Sequence, residues 1–169
     1  MKKRITLCLL ATFFLASVSL ADAQQAGKVL RIGFLHQSTA SGIAALSEVF
    51  RQELTKLGWI EGKNIAIEYR FAEQKRERLP ELAAELVRLK VDLIVVTTTS
   101  AASAAKSATT TIPIVMTNAG DPVASGLVAS LARPGGNVTG VSSLTAELGT
   151  KRLEILKDAV PMLARVGLL

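Results

Sequence analysis

Three short polar runs hold the side chains that could do chemistry. His36-Gln37-Ser38-Thr39 follows one apolar run, Thr97-Thr98-Thr99-Ser100 follows a second, and Asn118-Ala119-Gly120-Asp121 follows a third. Thr98, Thr99 and Ser100 lead into an Ala-rich segment with helical composition. Hydroxyls there, together with the unpaired N–H groups of a first helical turn, suit a carboxylate or similar anion. Ser100 is also expected to cap that helix. Asp121 followed by Pro122 reads as the N-cap and first residue of a further helix. Asn118 has no such structural duty and is the better polar contact for a ligand, with Gln37 and Ser38 as donors on the first run.

Catalysis finds little support in the same residues. His36 is the only histidine and Cys8 the only cysteine. A lone histidine at a strand end is a local hydrogen-bonding group unless a nucleophile or metal partner accompanies it, so no metal site and no cofactor are expected. The chain contains no G-x-G-x-x-G after its first strand, no G-x-x-x-x-G-K-[ST] and no G-x-S-x-G. Its paired acids sit among bases in helical segments and read as solvent-facing charge. These absences point to a binder rather than an enzyme. Asn137-Val138-Thr139 matches a glycosylation sequon, a pattern short enough to arise by chance.

The first residues set the compartment. Met1-Lys2-Lys3-Arg4 is cationic, Ile5 to Leu20 carries no charge, and Ala21-Asp22-Ala23 offers small residues at the positions a signal peptidase reads. The apolar run is short for a spanning helix, which needs about 20 residues. Residues 1–23 are therefore expected to be a secretory signal, cleaved after Ala23 to leave a periplasmic protein. Cys8 lies near the beginning of the apolar run, not at the end where a lipoprotein would carry its acylated cysteine. Cleavage removes the only thiol. It also removes three cations and one anion, which lowers the net charge from +6 to +4. The remaining bases are interspersed with acids through Glu73–Arg88, and no aromatic residues interleave with a basic stripe, so nucleic acid is not an expected partner.

The elements that must position the polar runs follow from periodicity. Val29–Leu35 and Val91–Val96 read as buried strands, Ile112–Met116 and Val138–Val141 as shorter ones. Asn64–Arg70 alternates polar and apolar, as an edge strand with one wet face does. Helices are predicted where Ile43, Leu46, Phe50, Leu54 and Leu57 recur, where Leu79, Leu82, Ala83, Leu86 and Leu89 recur, through the Ala-rich stretch to Ala108, over Val123–Ala132, and from about Thr145 to Val160. Alternating strands and helices predict an α/β fold, a doubly wound parallel sheet of order 2-1-3-4-5. In such a sheet the strand order reverses between the first and third strands, and ligands bind beyond the carboxyl ends there. The three polar runs are the loops at that point.

Longer stretches carry a resemblance. Arg31–Leu35, Leu57–Arg70 (LGWIEGKNIAIEYR), Arg78–Val95, Ala108–Val115, Gly120–Val123 and Gly126–Gly140 are similar to the bacterial ABC-transporter substrate-binding family that includes tryptophan- and tyrosine-binding members. The resemblance implies a type I periplasmic binding protein: two α/β lobes joined by a hinge, with the ligand clamped between them. It implies a small-molecule ligand such as an amino acid, an ABC permease in the inner membrane as partner, and a monomer at full length. It places His36–Thr39, Thr97–Ser100 and the loop of Asn118 and Asp121 on the cleft. Relatives often show a Gly-Thr-Pro-like turn where this chain has Thr-Thr-Thr-Ser, so the ligand is not carried over. The expected organisation is a signal peptide (1–23), an N-terminal ligand-binding lobe (24–141), and a hinge with an incomplete start of a second lobe (142–169), as in a fragment or a truncated reading frame. A sensing domain for a signalling partner, or a fragment without function, would share these features.

Overall fold

The computed structural model describes residues 28–143, 145–160, 162 and 165. The expected signal peptide and the apolar run Val166–Leu169 lie outside the described residues. Five parallel strands form one sheet: β1 (Leu30–His36), β2 (Ile65–Phe71), β3 (Leu93–Val96), β4 (Ile114–Ala119) and β5 (Val138–Ser142), in the order β2-β1-β3-β4-β5. Four α-helices connect or follow them: α1 (Ala44–Lys56), α2 (Leu79–Arg88), α3 (Thr99–Ala108) and α4 (Thr145–Ala159). The expected α/β class and strand order are both present, and the alternating strand β2 lies at the edge.

Right-handed crossovers decide which face each helix covers. The first connection moves outward from β1 to β2 and puts α1 on one face. Every later connection runs the other way, so α2 and α3 lie on the opposite face. That second face is the main core, where Leu35, Ile94, Val96, Ile114, Met116 and Val138 pack against Leu79, Leu82, Ala83 and Leu86 of α2 and Ala101, Ala102 and Ala105 of α3. Under α1 a smaller core joins Ile32, Phe34, Ile43, Ile65 and Val95 with Phe50 and Leu54. Pro80 stands in the first turn of α2, as predicted.

Two expectations about the extent of helical segments need correction. The first concerns α1, whose apolar stripe is narrower than its periodicity implies. Ile43, Phe50 and Leu54 face the sheet, but Leu46 and Leu57 are exposed, the latter by 75%. A single helix spanning two strands has no neighbour on its far flank.

The second is the helix predicted over Val123–Ala132, which does not form. Asp121 accepts hydrogen bonds from the N–H groups of Val123 (3.0 Å) and Ala124 (2.9 Å), so it caps a turn. Gly126 then adopts φ +69°, which ends any helical path. Lys106 Nζ donates to the carbonyls of Gly126 (2.6 Å) and Leu127 (3.1 Å), acceptors a helix would have used internally. Leu127 and Val128 are both buried in the main core, so the turn still closes this face.

The last strand hangs on one glycine. Gly140 adopts φ +134°, and a Cβ there would lie 1.9 Å from the carbonyl oxygen of Met116. The β4–β5 ladder shifts register between Met116 and Ala119, so the two backbones approach where no side chain can fit. The sequon asparagine is committed to structure: Asn137 Nδ2 donates to the carbonyls of Thr109 (3.0 Å) and Ile112 (2.9 Å).

Candidate functional site

Register aligns Leu35, Val96 and Met116 in one row across β1, β3 and β4. The next residues along these three neighbouring chains are His36, Thr97 and Thr117, followed by Gln37, Thr98 and Asn118. The three polar runs thus emerge side by side from the carboxyl edge, at the reversal of strand order.

The first run is a tightly braced loop. Ser38 N–H donates to His36 Nδ1 (2.8 Å), so Nδ1 is the acceptor and the imidazole proton sits on Nε2. Partial burial holds the His36 pKa below its ordinary value, which favours this neutral ring. Thr39 Oγ1 accepts from Gly42 N–H (3.0 Å). The segment after β2 reaches over to support the loop. Gln74 N–H donates to the Gln37 carbonyl (2.8 Å), Glu73 N–H to the Ser38 carbonyl (3.2 Å), and Gln74 Nε2 to Ser38 Oγ (3.2 Å). Glu73 and Gln74 adopt φ values of 53° and 66°, unusual for residues with side chains. Arg76 Nε donates to Gln37 Oε1 (3.3 Å). Residues 73–76 read in sequence only as a charged segment, and no local signal in it announces a left-handed backbone pair.

In the second run Thr98, not Ser100, is the N-cap of α3: its Oγ1 accepts from Ala101 N–H (3.2 Å). Thr98 and Ser100 exchange roles because α3 begins at Thr99, leaving Ser100 inside the first turn. Thr99 Oγ1 accepts from Gly120 N–H (3.0 Å) and ties the second run to the third. Ser100 lines a groove of about 380 Å³ with Arg76, Leu79, Pro80, Ser103, Ala104 and Ser107. Thr97, which sequence reasoning did not single out as a ligand contact, is buried with no hydrogen-bond partner for its hydroxyl. A buried orphan hydroxyl costs about 1–3 kcal/mol unless something fills the position.

In the third run β4 extends to Ala119, further than predicted, so Asn118 stands on the strand end rather than in a loop, exposed. Asp121 is consumed by its turn, and its carboxylate adds negative charge to this wall. His36, Gln37, Ser38, Thr98, Thr99, Ser100, Asn118 and Asp121 therefore share one edge of the sheet. Hydrogen bonds link the first run to Arg76 and the second to the third. The arrangement can donate and accept hydrogen bonds, and it places no nucleophile–base pair together. Among the described residues no group of three His, Cys, Asp or Glu side chains converges as metal ligands, and no helix is long and apolar enough to cross a membrane.

Comparison with known proteins bears on this edge. Residues 39–169 match the family model described as ABC transporter substrate binding protein. A tyrosine-binding protein of Clostridioides difficile (strain R20291) is 38% identical over 120 residues, which cover 71% of this chain and 34% of that protein. A conserved domain protein from Vibrio cholerae matches with a TM-score of 0.70 at 32% identity, over 80% of this chain and 45% of that one. An ABC domain from Streptococcus pneumonia in complex with L-Trp matches with a TM-score of 0.61 at 30% identity, over 67% of this chain and 38% of that one. The chain thus spans less than half the length of each of these three relatives.

Proposed function

Because the chain belongs to the ABC transporter substrate-binding family, we propose that it is the N-terminal ligand-binding lobe of the solute-binding component of an ABC importer. Its ligand is a small carboxylate-bearing molecule of the amino-acid class, with an aromatic amino acid first among them. The observation that carries this reading is the meeting of three polar runs at the carboxyl ends of β1, β3 and β4, in a family whose relatives include a tyrosine-binding protein and a domain solved with L-Trp. Open parallel sheets bind ligands at that edge.

His36 Nε2–H, the Gln37 amide, and the hydroxyls of Ser38, Thr98, Thr99 and Ser100 supply donors to the ligand, with Asn118 on the third wall. Residues 1–23 export the chain to the periplasm, residues 24–141 form the lobe, and 142–169 lead through a hinge into a second lobe. Closure of two lobes is what buries a ligand, so one lobe alone binds weakly. The partner that receives the ligand is a permease of the inner membrane. Calorimetric titration of a two-lobed protein carrying this lobe against the twenty amino acids tests the reading. Saturable heat with aromatic amino acids is the expected result, and a flat titration across the panel refutes the ligand class.

A further inference from the structure

A carboxylate ligand needs a positive counterpart, and the nominated contacts contain none. His36 is held neutral, Asp121 is an anion, and the rest are uncharged. Within reach of two of the three runs stands one guanidinium. Arg76 touches Gln37 through Nε (3.3 Å) and lines a groove with Ser100 and Ser103 of α3. It follows β2, yet its side chain lies between the loop after β1 and the helix after β3, at the reversal of strand order. Among the described residues Arg76 forms no salt bridge, whereas nearby Arg70 and Arg78 pair with Glu85 and Glu73. Its two terminal nitrogens are thus uncommitted to any carboxylate among the described residues.

We propose that Arg76 is the anion-recognition residue of this site. Its terminal nitrogens grip the ligand carboxylate in a fork, and the Ser100 hydroxyl and the first turn of α3 complete the cradle. The inference rests on the amino-acid reading above and adds a residue that sequence reasoning assigned to a solvated charged segment. The Nε contact with Gln37 fixes the fork's direction, and it leaves the Gln37 amide nitrogen free to donate to the ligand. Arginine suits the task because two parallel N–H groups match the two oxygens of a carboxylate. Lysine in its place would keep the charge and lose the fork.

The test is an NMR titration of the exported chain, which registers millimolar binding, with L-tryptophan and with L-tryptophanamide, in which a neutral carboxamide replaces the carboxylate. Wild type is expected to prefer the acid. Arg76→Gln is expected to weaken the acid about tenfold, as loss of a charged hydrogen bond does, and to leave the amide unchanged. Arg76→Lys is expected to fall between, and added salt to weaken the acid in wild type but not in Arg76→Gln. Equal losses for acid and amide, or no loss for the acid, overturn the role of Arg76 while the amino-acid reading stands. Equal wild-type affinity for acid and amide does the same. The same panel is run on a two-lobed protein carrying this lobe, and if that protein binds no amino acid the broader reading falls and this inference with it. Arg76 is exposed, so folding is unaffected by these variants, which matching circular dichroism spectra verify.

Discussion

The two faces of the sheet are covered unequally. On one face α2, α3 and the Leu127–Val128 turn seal β1, β3, β4 and β5. On the other, α1 covers β1, β2 and the near side of β3 and leaves β4 and β5 open. Val95 is buried there, but its row continues through half-exposed Val115 to exposed Thr139, and Val141 is 68% exposed. Leu46 and Val49, on the flank of α1 away from the edge strand, are exposed as well. Among the described residues α4 has no extensive contact with the other elements, and it shows Leu153 and Leu156 to solvent, with Val160 exposed just beyond its end. The cause is handedness: once the strand order has reversed, every right-handed crossover falls on the same side. A parallel sheet is stable with both faces covered, so a lobe with this strand order depends on something beyond its own crossovers.

The largest test of this contrast is Leu86→Ala on the closed face. Leu86 is fully buried against the main core, so its truncation is expected to cost about 2–5 kcal/mol in urea denaturation. A smaller cost, near that of a surface change, would mean the closed face is not well packed. Gly140→Ala comes next. Its Cβ cannot coexist with the Met116 carbonyl, so β5 must shift or detach. A loss of about 1–3 kcal/mol is expected, with hydrogen exchange accelerated in β5 before the other strands.

The pH dependence at His36 is smaller. Its folded pKa lies below its unfolded value, so the unfolded chain binds the extra proton first. The stability this contributes is fully present above about pH 6.5, the ordinary histidine value, and is lost as pH falls through the folded value. Protonation of Nδ1 would also end the bond from Ser38. His36→Gln is expected to flatten the stability profile in that window, and an unchanged slope would show that another group titrates there.

Leu46→Ala on the open face is expected to change stability by less than about 0.5 kcal/mol. The combination Val141→Lys with Leu156→Glu should be as neutral for folding, yet it should reduce self-association of the chain at high concentration. Sedimentation velocity showing wild type as a monomer throughout would remove the idea that these apolar surfaces associate.

Much of the fold was legible because it depends on local periodicity and on topological rules that any sequence of this type obeys. The alternation in Asn64–Arg70 marked an edge strand, the run Val91–Val96 a central one, and strand order followed from them. The helix expected after Asp121 was not legible as a turn, because its fate depends on Lys106, a residue of another helix, capturing the carbonyls of Gly126 and Leu127. The capping of α3 by Thr98 rather than Ser100 turned on where a helix begins, and three consecutive threonines give no local preference.

What the sequence determined by itself is the class of fold, the order of its strands, and the edge at which three polar runs meet, since each follows from side-chain period and crossover handedness. What only the tertiary structure decided is the chemistry at that edge: the neutral His36 ring with its proton on Nε2, the brace from Glu73 and Gln74, the orphan hydroxyl of Thr97, and the reach of Arg76 between two loops. The brace and the reach of Arg76 depend on contacts between residues far apart in sequence, and the His36 bond and the Thr97 hydroxyl on loop conformation and burial, which exist only once the backbone has closed around them.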